Sequence, residues 1–376
     1  MKSHLAALSM LCAFSAWADE GSRLPRHAGF TTLVTTPLAI EGLSGDRNGN
    51  LYTTGRNAGA GVSCPVWRIA LSSVTPVVVG FVPAPSPTGQ CSPSGITFGP
   101  DGRLYFSEGA TVYALAPDAA NPPTATVYAT GVLGTNGLAF DRRGTLWTGD
   151  GTQGNGRVWS IAPGGGVGVE VFRIQPMANS LGVGRSVLTL PPGTAQPLVA
   201  NGVAFDREGK LLIADTARGA IWEVEFDRHG NLESRTGCDT TFTANTLCLS
   251  NVMVAHPLLD GADGIALDRA GNIWVDANER NAVVVVTNRG RVIEVFRNAP
   301  DATTGLRNGG PLETPTSPFL LGDVMCTANS DGNRRDNVPN TAGEISPAGP
   351  ARGKISCLDQ RLHVPGLPLP VRSSHH

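Results

Sequence analysis

The chain has 376 residues, a formal net charge of −2 and a charged fraction of 16%. Without a basic excess it lacks the electrostatic footprint of a nucleic-acid-binding protein. Its 47 glycines and 28 prolines, about a fifth of the sequence, are spread along its length, which suits short strands and turns and leaves little room for helix.

The first residues read MKSHLAALSMLCAFSAWADE, with Lys2 at the basic end, an apolar run from Leu5 to Trp17, and Ala16-Trp17-Ala18 as a small-residue cleavage site. This pattern predicts a signal peptide over residues 1–18 and an exported mature chain over 19–376. The run is too short to span a bilayer, so no membrane association is expected. Cys12 lacks the small residue that precedes a lipidated cysteine, which favours a free periplasmic or secreted protein. Six cysteines remain after cleavage, an even number that predicts disulfides in an oxidising compartment. Proximity along the chain pairs Cys64 with Cys91, Cys238 with Cys248 and Cys326 with Cys357.

From residue 41 onward one phrase recurs. Glu41 opens EGLSGDRNGNLYTTG, Ser94 opens SGITFGPDGRLYFSE, Asn136 opens NGLAFDRRGTLWTGD, Asn201 opens NGVAFDREGKLLIAD and Asp263 opens DGIALDRAGNIWVDA. Each copy reads as strand, glycine-containing turn, strand. A sixth, degenerate copy is expected near Ser317 in TSPFLLGDVMCTAN. Further strand-like runs such as VWRIAL, TVYALAP, RVWSIAP, AIWEVEFD and AVVVVTN fill the intervals, giving about four strands per unit. Four-stranded units of this length predict an all-β, six-bladed β-propeller in one domain, whereas solenoid repeats are shorter and more uniform. The strand GFTTLVTT and the segment KISCLDQRL lie outside the full units and are expected to share one blade, closing the ring. The long segments 164–199, 227–262 and 298–316 are expected to wall the channel mouth, one of them pinned by Cys238 and Cys248.

Innermost strands surround the axis of a propeller, so the first residue of each copy converges there. Glu41, Ser94, Asn136, Asn201, Asp263 and the Ser317 region form an oxygen-rich set without sulfur or imidazole. Such hard donors suit Ca²⁺, with Mg²⁺, Mn²⁺ or Zn²⁺ as further candidates. A polar residue before glycine also caps turns, but turn capping does not require an alternation between carboxylate and amide. The aspartates Asp46, Asp101, Asp141, Asp206 and Asp268 recur at the hairpin turns, where a turn-forming role accounts for them. NSDGNRRD, from Asn329 to Asp336, lacks the register of a calcium loop and reads as a solvated turn.

The anchors in their strands resemble the gluconolactonase and regucalcin-like (senescence marker protein) family of six-bladed propellers, which is related to diisopropylfluorophosphatase and more distantly to the paraoxonases. The similarity covers essentially the mature chain and is strongest from Asn136 to Val286. It implies one divalent cation held by Glu41, Asn136, Asn201 and Asp263. It further implies a hydrolase acting on a lactone or related ester, with Asp263 as the catalytic base or nucleophile and Asn136, Ser94 and His256 toward the substrate. Sugar-lactone enzymes of the family carry an arginine shortly before the third-repeat asparagine; here Gly134 and Thr135 stand there, which points toward a less hydroxylated substrate. Two other readings share the architecture: a non-catalytic binding propeller with a structural calcium, and a strictosidine-synthase-like enzyme. A small-molecule substrate and a monomer are expected.

Overall fold

The computed structural model describes residues 24–25, 28–151, 154–175, 199–299, 310–330 and 352–368. The segment assigned to the signal peptide, most of 164–199, the centre of 298–316 and residues 331–336 of the NSDGNRRD turn lie outside the described residues.

Six antiparallel sheets follow one another in chain order. The first blade is built from Ser44–Gly45, Asn50–Thr54, Cys64–Ala70 and Pro76–Val82, and the second from Ile96–Phe98, Leu104–Glu108, Thr111–Leu115 and Thr126–Thr130. The third contains Thr135–Phe140, Leu146–Asp150, Arg157–Ile161 and Val169–Arg173, and the fourth Ala200–Phe205, Leu211–Asp215, Ala220–Val224 and Val252–Ala255. The fifth contains Ala262–Leu267, Ile273–Ala277, Ala282–Val286 and Val292–Arg297. The sixth joins Pro315–Leu321, Val324–Asn329 and Lys354–Leu358 to the amino-terminal strand Phe30–Thr35, with Phe30 opposite Leu358. The molecule is a six-bladed β-propeller, its ring closed by strands from both ends of the chain. Helix among the described residues is confined to short 3₁₀ turns such as Pro257–Leu259 and Asn278–Arg280, and no helix there is long and apolar enough to cross a membrane.

Apolar residues of neighbouring blades meet in six clusters, one at each interface. Trp147, Val158 and Phe172 of the third blade pack with Leu211, Ile213 and Trp222 of the fourth. Ile40, Leu51 and Ile69 of the first pack with Cys326, Ala328 and Ile355 of the sixth, across the ring closure. A blade is covered on both faces, which is why second strands such as Leu104–Glu108 and Ile273–Ala277 are buried at every position, their polar Ser107, Glu108 and Asp276 included. The disulfides are Cys64–Cys91, Cys238–Cys248 and Cys326–Cys357, as pairing by proximity anticipates, and they fit an oxidising compartment.

The hairpin aspartates explain the recurrent aromatic of the second strand. Asp46 Oδ1 accepts the N–H groups of Asn48 and Asn50 while Oδ2 accepts the Tyr52 hydroxyl. Asp268 repeats this with Ala270, Asn272 and the Trp274 indole, and Asp101 and Asp141 reach Tyr105 and Trp147. One carboxylate thus closes the turn with one oxygen and satisfies a buried aromatic donor with the other.

Three features depart from the sequence expectation. The second blade gains a short fifth strand, Gly166–Val167, parallel to Thr126–Thr130; a Cβ on Gly165 would come within 2.1 Å of the Tyr128 carbonyl, so the glycine run permits this approach. The segment pinned by Cys238–Cys248 does not wall the channel mouth. It connects the third and fourth strands of its blade, and Leu247 N–H bonds the Arg173 carbonyl at the end of the third blade's outermost strand, so it pads the rim. Finally, the sixth anchor is Thr316 and not Ser317. Pro315 opposite Asn329 takes the place that Ala200 opposite Asp215 and Ala262 opposite Ala277 take in their blades, and in each the anchor is the next residue.

Candidate metal centre

Glu41 and Ser94 lie just before the innermost strands of their blades, whereas Asn136, Asn201, Asp263 and Thr316 lie within theirs, at a β-bulge. The register shifts between Thr135 and Leu138, between Ala200 and Val203, and between Ala262 and Ile265, so Asn136, Asn201 and Asp263 fall on the bulge itself. A bulge leaves a residue out of the ladder and re-aims its side chain. The glycine after each anchor has its own cause: a Cβ at Gly95 would lie 2.2 Å from the Asn136 carbonyl, at Gly137 2.7 Å from that of Asn201, and at Gly202 2.4 Å from that of Asp263. Gly42 abuts the Ser94 carbonyl and Gly264 that of Thr316 in the same way, and the Thr316 hydroxyl donates to the Glu41 carbonyl at 2.7 Å. The chain of contacts runs Glu41, Ser94, Asn136, Asn201, Asp263, Thr316 and back to Glu41. Six residues distant in sequence are thereby drawn into one closed ring.

A second tier supports this ring. The residue three past each anchor pairs with Tyr52, Tyr105, Trp147, Leu212 and Trp274 in turn, and four residues further stand Arg56, Gly109, Gly151, Thr216 and Asn278. Asn201 Nδ2 donates to Thr216 Oγ1 at 3.1 Å, and Asn278 Nδ2 donates to Asp263 Oδ2 at 2.9 Å. A Cβ on Gly151 would come within 2.7 Å of the Asn136 amide, so glycine there leaves room for that side chain. Arg56 Nη1 donates to Glu41 Oε2 in an ion pair. This second tier, Arg56 above all, carries no sequence signal of its own; only the strand register reveals it.

Ser94, Asn136, Asn201 and Asp263 are buried, while Glu41 is part-exposed. His256 lies in the connection that leads to Asp263, exposed, its Nδ1 accepting the Leu258 N–H at 3.1 Å to cap the Pro257–Leu259 turn. Behind Asp263, burial holds the Asp276 carboxyl well above the usual carboxylate range, the nearby Asp263 charge adds to this, and the Thr327 hydroxyl partly offsets it. Burial likewise raises Glu108, against the opposing effects of the Ser92 N–H and Arg56.

The donor set fits a hard cation. It offers two carboxylates and two amides, and Asn201 Oδ1, buried, has no hydrogen-bond partner among the described residues. With its nitrogen fixed by Thr216, the Asn201 amide keeps an oxygen that can serve as an acceptor for a cation. A cluster of three or more His, Cys, Asp or Glu does not occur among the described residues, so the amides are essential to such a site.

The fold is shared with solved structures. Regucalcin from Agrobacterium tumefaciens, described as a calcium-binding protein, superposes with a TM-score of 0.60 at 17% identity, covering 92% of this chain and 97% of that one. A luciferin-regenerating enzyme gives 0.56 at 14% identity over 91% and 98%. The PQQ-bound aldose sugar dehydrogenase of Streptomyces coelicolor gives 0.54 at 15% identity over 89% and 99%. At these identities the likeness is one of fold, and the fold alone hosts different chemistries. A search of curated protein sequences finds no match. Residues 81–312 match the family described as SMP-30/gluconolactonase/LRE-like region, and the chain belongs to that family.

Proposed function

We propose that this chain is an exported, divalent-metal-dependent hydrolase of a lactone or related ester, with Glu41, Asn136, Asn201 and Asp263 holding one cation, Ca²⁺ first among the candidates, in the central channel. The observation that carries this reading is the closed anchor ring with the unsatisfied Asn201 Oδ1 in it; membership of a gluconolactonase-like family supports the reaction class. A bound divalent cation supplies Lewis-acid polarisation of the substrate carbonyl. Asp263, its carboxylate plane fixed by Asn278, takes the proton of the attacking water, a role worth typically ~10²–10⁴-fold. Asn136 and Ser94 line the ring beside it and orient the acyl group, and His256 stands in the connection that leads into Asp263, at the channel mouth by which substrate enters. The three disulfides and the leader-like first 18 residues support a periplasmic or secreted location.

A panel of lactones and aryl esters, assayed with calcium and after chelation, tests the proposal. Hydrolysis is expected to disappear on chelation and to fall by about 10²-fold or more in Asp263→Ala, with the far-ultraviolet circular dichroism unchanged. Retained turnover in that variant would sink the assignment.

A further inference from the structure

In the third, fourth and fifth blades the second-tier residue is neutral and leaves the anchor's acceptor capacity in place: Gly151 makes space for Asn136, Thr216 turns the Asn201 amide, and Asn278 orients Asp263. The first blade differs. Arg56 sets a permanent positive charge on Glu41, one of only two carboxylates among the anchors. The guanidinium is held there from behind: Nε and Nη2 both donate to Ser92 Oγ, at 3.1 and 2.7 Å. Ser92 is itself fixed by its N–H to Glu108 Oε2 at 2.7 Å, and Arg56 N–H bonds the Ala39 carbonyl at 2.8 Å.

We infer that Arg56 and a divalent cation are alternative counter-ions of Glu41, and that Arg56 is the residue that sets the cation affinity of the ring. This rests on the cation site proposed above. A carboxylate shared with an arginine has less charge to offer a metal, and the guanidinium repels an incoming cation across a part-buried, weakly screened gap. Loading the ring therefore requires Glu41 to give up some or all of its pairing with Arg56. The affinity that results is lower than two carboxylates and two amides would give alone. The ring becomes a site that fills at high cation concentration, as in extracellular modules, and empties when the cation is scarce.

The test uses the mature full-length chain, stripped with chelator and titrated with calcium chloride alone by calorimetry. Arg56→Gln, which removes the charge and keeps a hydrogen-bonding group for Ser92, is expected to bind calcium at least ~10-fold more tightly than wild type, and Arg56→Lys to stay near wild type. Ser92→Ala, which loosens the tether and leaves the charge, is expected to tighten binding by a smaller factor and serves if Arg56→Gln does not fold. Calcium affinity equal to or weaker than wild type in folded Arg56→Gln, or in Ser92→Ala when that variant stands in for it, overturns the inference while leaving the cation site intact. Absence of calcium binding in wild type and variants alike overturns both.

Discussion

Asp215 ends the second strand of the fourth blade, wholly buried, accepting from the Arg218 N–H and the Trp222 indole at 3.0 Å each. Burial pushes its carboxyl from 3.8 up to about 6, with the Arg218 charge and these bonds partly offsetting it. Because the folded protein holds this proton to higher pH than the unfolded chain, the group's contribution to stability is fully present below pH 3.8 and is lost as pH rises through about 6. The loss is worth roughly 3 kcal/mol. Urea unfolding between about pH 4 and pH 7 should show that fall in wild type and lack it in Asp215→Asn; superimposable profiles would exclude the effect. At this scale the sequence is legible where a polar residue interrupts an otherwise repeated apolar phrase, as at Asn201 and Asp263. It is silent on Arg56, 15 residues beyond its partner Glu41, because nothing in a single copy of the repeat marks the position that faces the anchor.

At the scale of the element, the hairpin with its anchor and glycine is the unit that recurs, and each part has a separate physical cause. The aspartate closes the turn, the aromatic supplies its second donor, the bulge aims the anchor, and the glycine admits the next blade. Gly202→Ala isolates the last of these: the new Cβ would meet the Asp263 carbonyl at 2.4 Å and the Gly264 Cα at 2.8 Å, so backbone must shift. A cost of roughly 1–3 kcal/mol is expected, together with weaker calcium binding, because the displaced atoms carry Asp263. Unfolding curves and calorimetry read the two effects. The misplacement of the sixth anchor at Ser317 has the same root: that blade keeps the bulge at Thr316 but has Ser317 where the others have glycine, so the letters that identify the other five copies are missing while the hydrogen-bond register persists.

Over the whole molecule, the blade count and the shared final blade were readable from the sequence because propeller repeats repeat their turns. The rim segment between Cys238 and Cys248 was not, since its seat against the outermost strand of the third blade is set by tertiary contacts such as that of the Leu247 N–H with the Arg173 carbonyl. Cys326–Cys357 joins adjacent strands of the final blade across a separation of 31 residues. Replacing both cysteines with alanine is expected to cost about 2–5 kcal/mol, measured by urea unfolding, with the loss concentrated where the ring closes. Unchanged stability would mean that pairing of Phe30–Thr35 with Lys354–Leu358 closes the ring without help.

That closure also dictates an order of events in time. The strand Phe30–Thr35 is synthesised some three hundred residues before its pairing partner Lys354–Leu358. Blades one to five can form as they appear, each from contiguous chain, but Phe30–Thr35 must wait with an unpaired edge until the other strands of its own blade have been made. Such long-range pairing is slow and exposes the edge to other chains in the interval. Closing the ring thus joins strands that the five other blades separate, and the Thr316 to Glu41 contact that completes the ring of anchors belongs to that step.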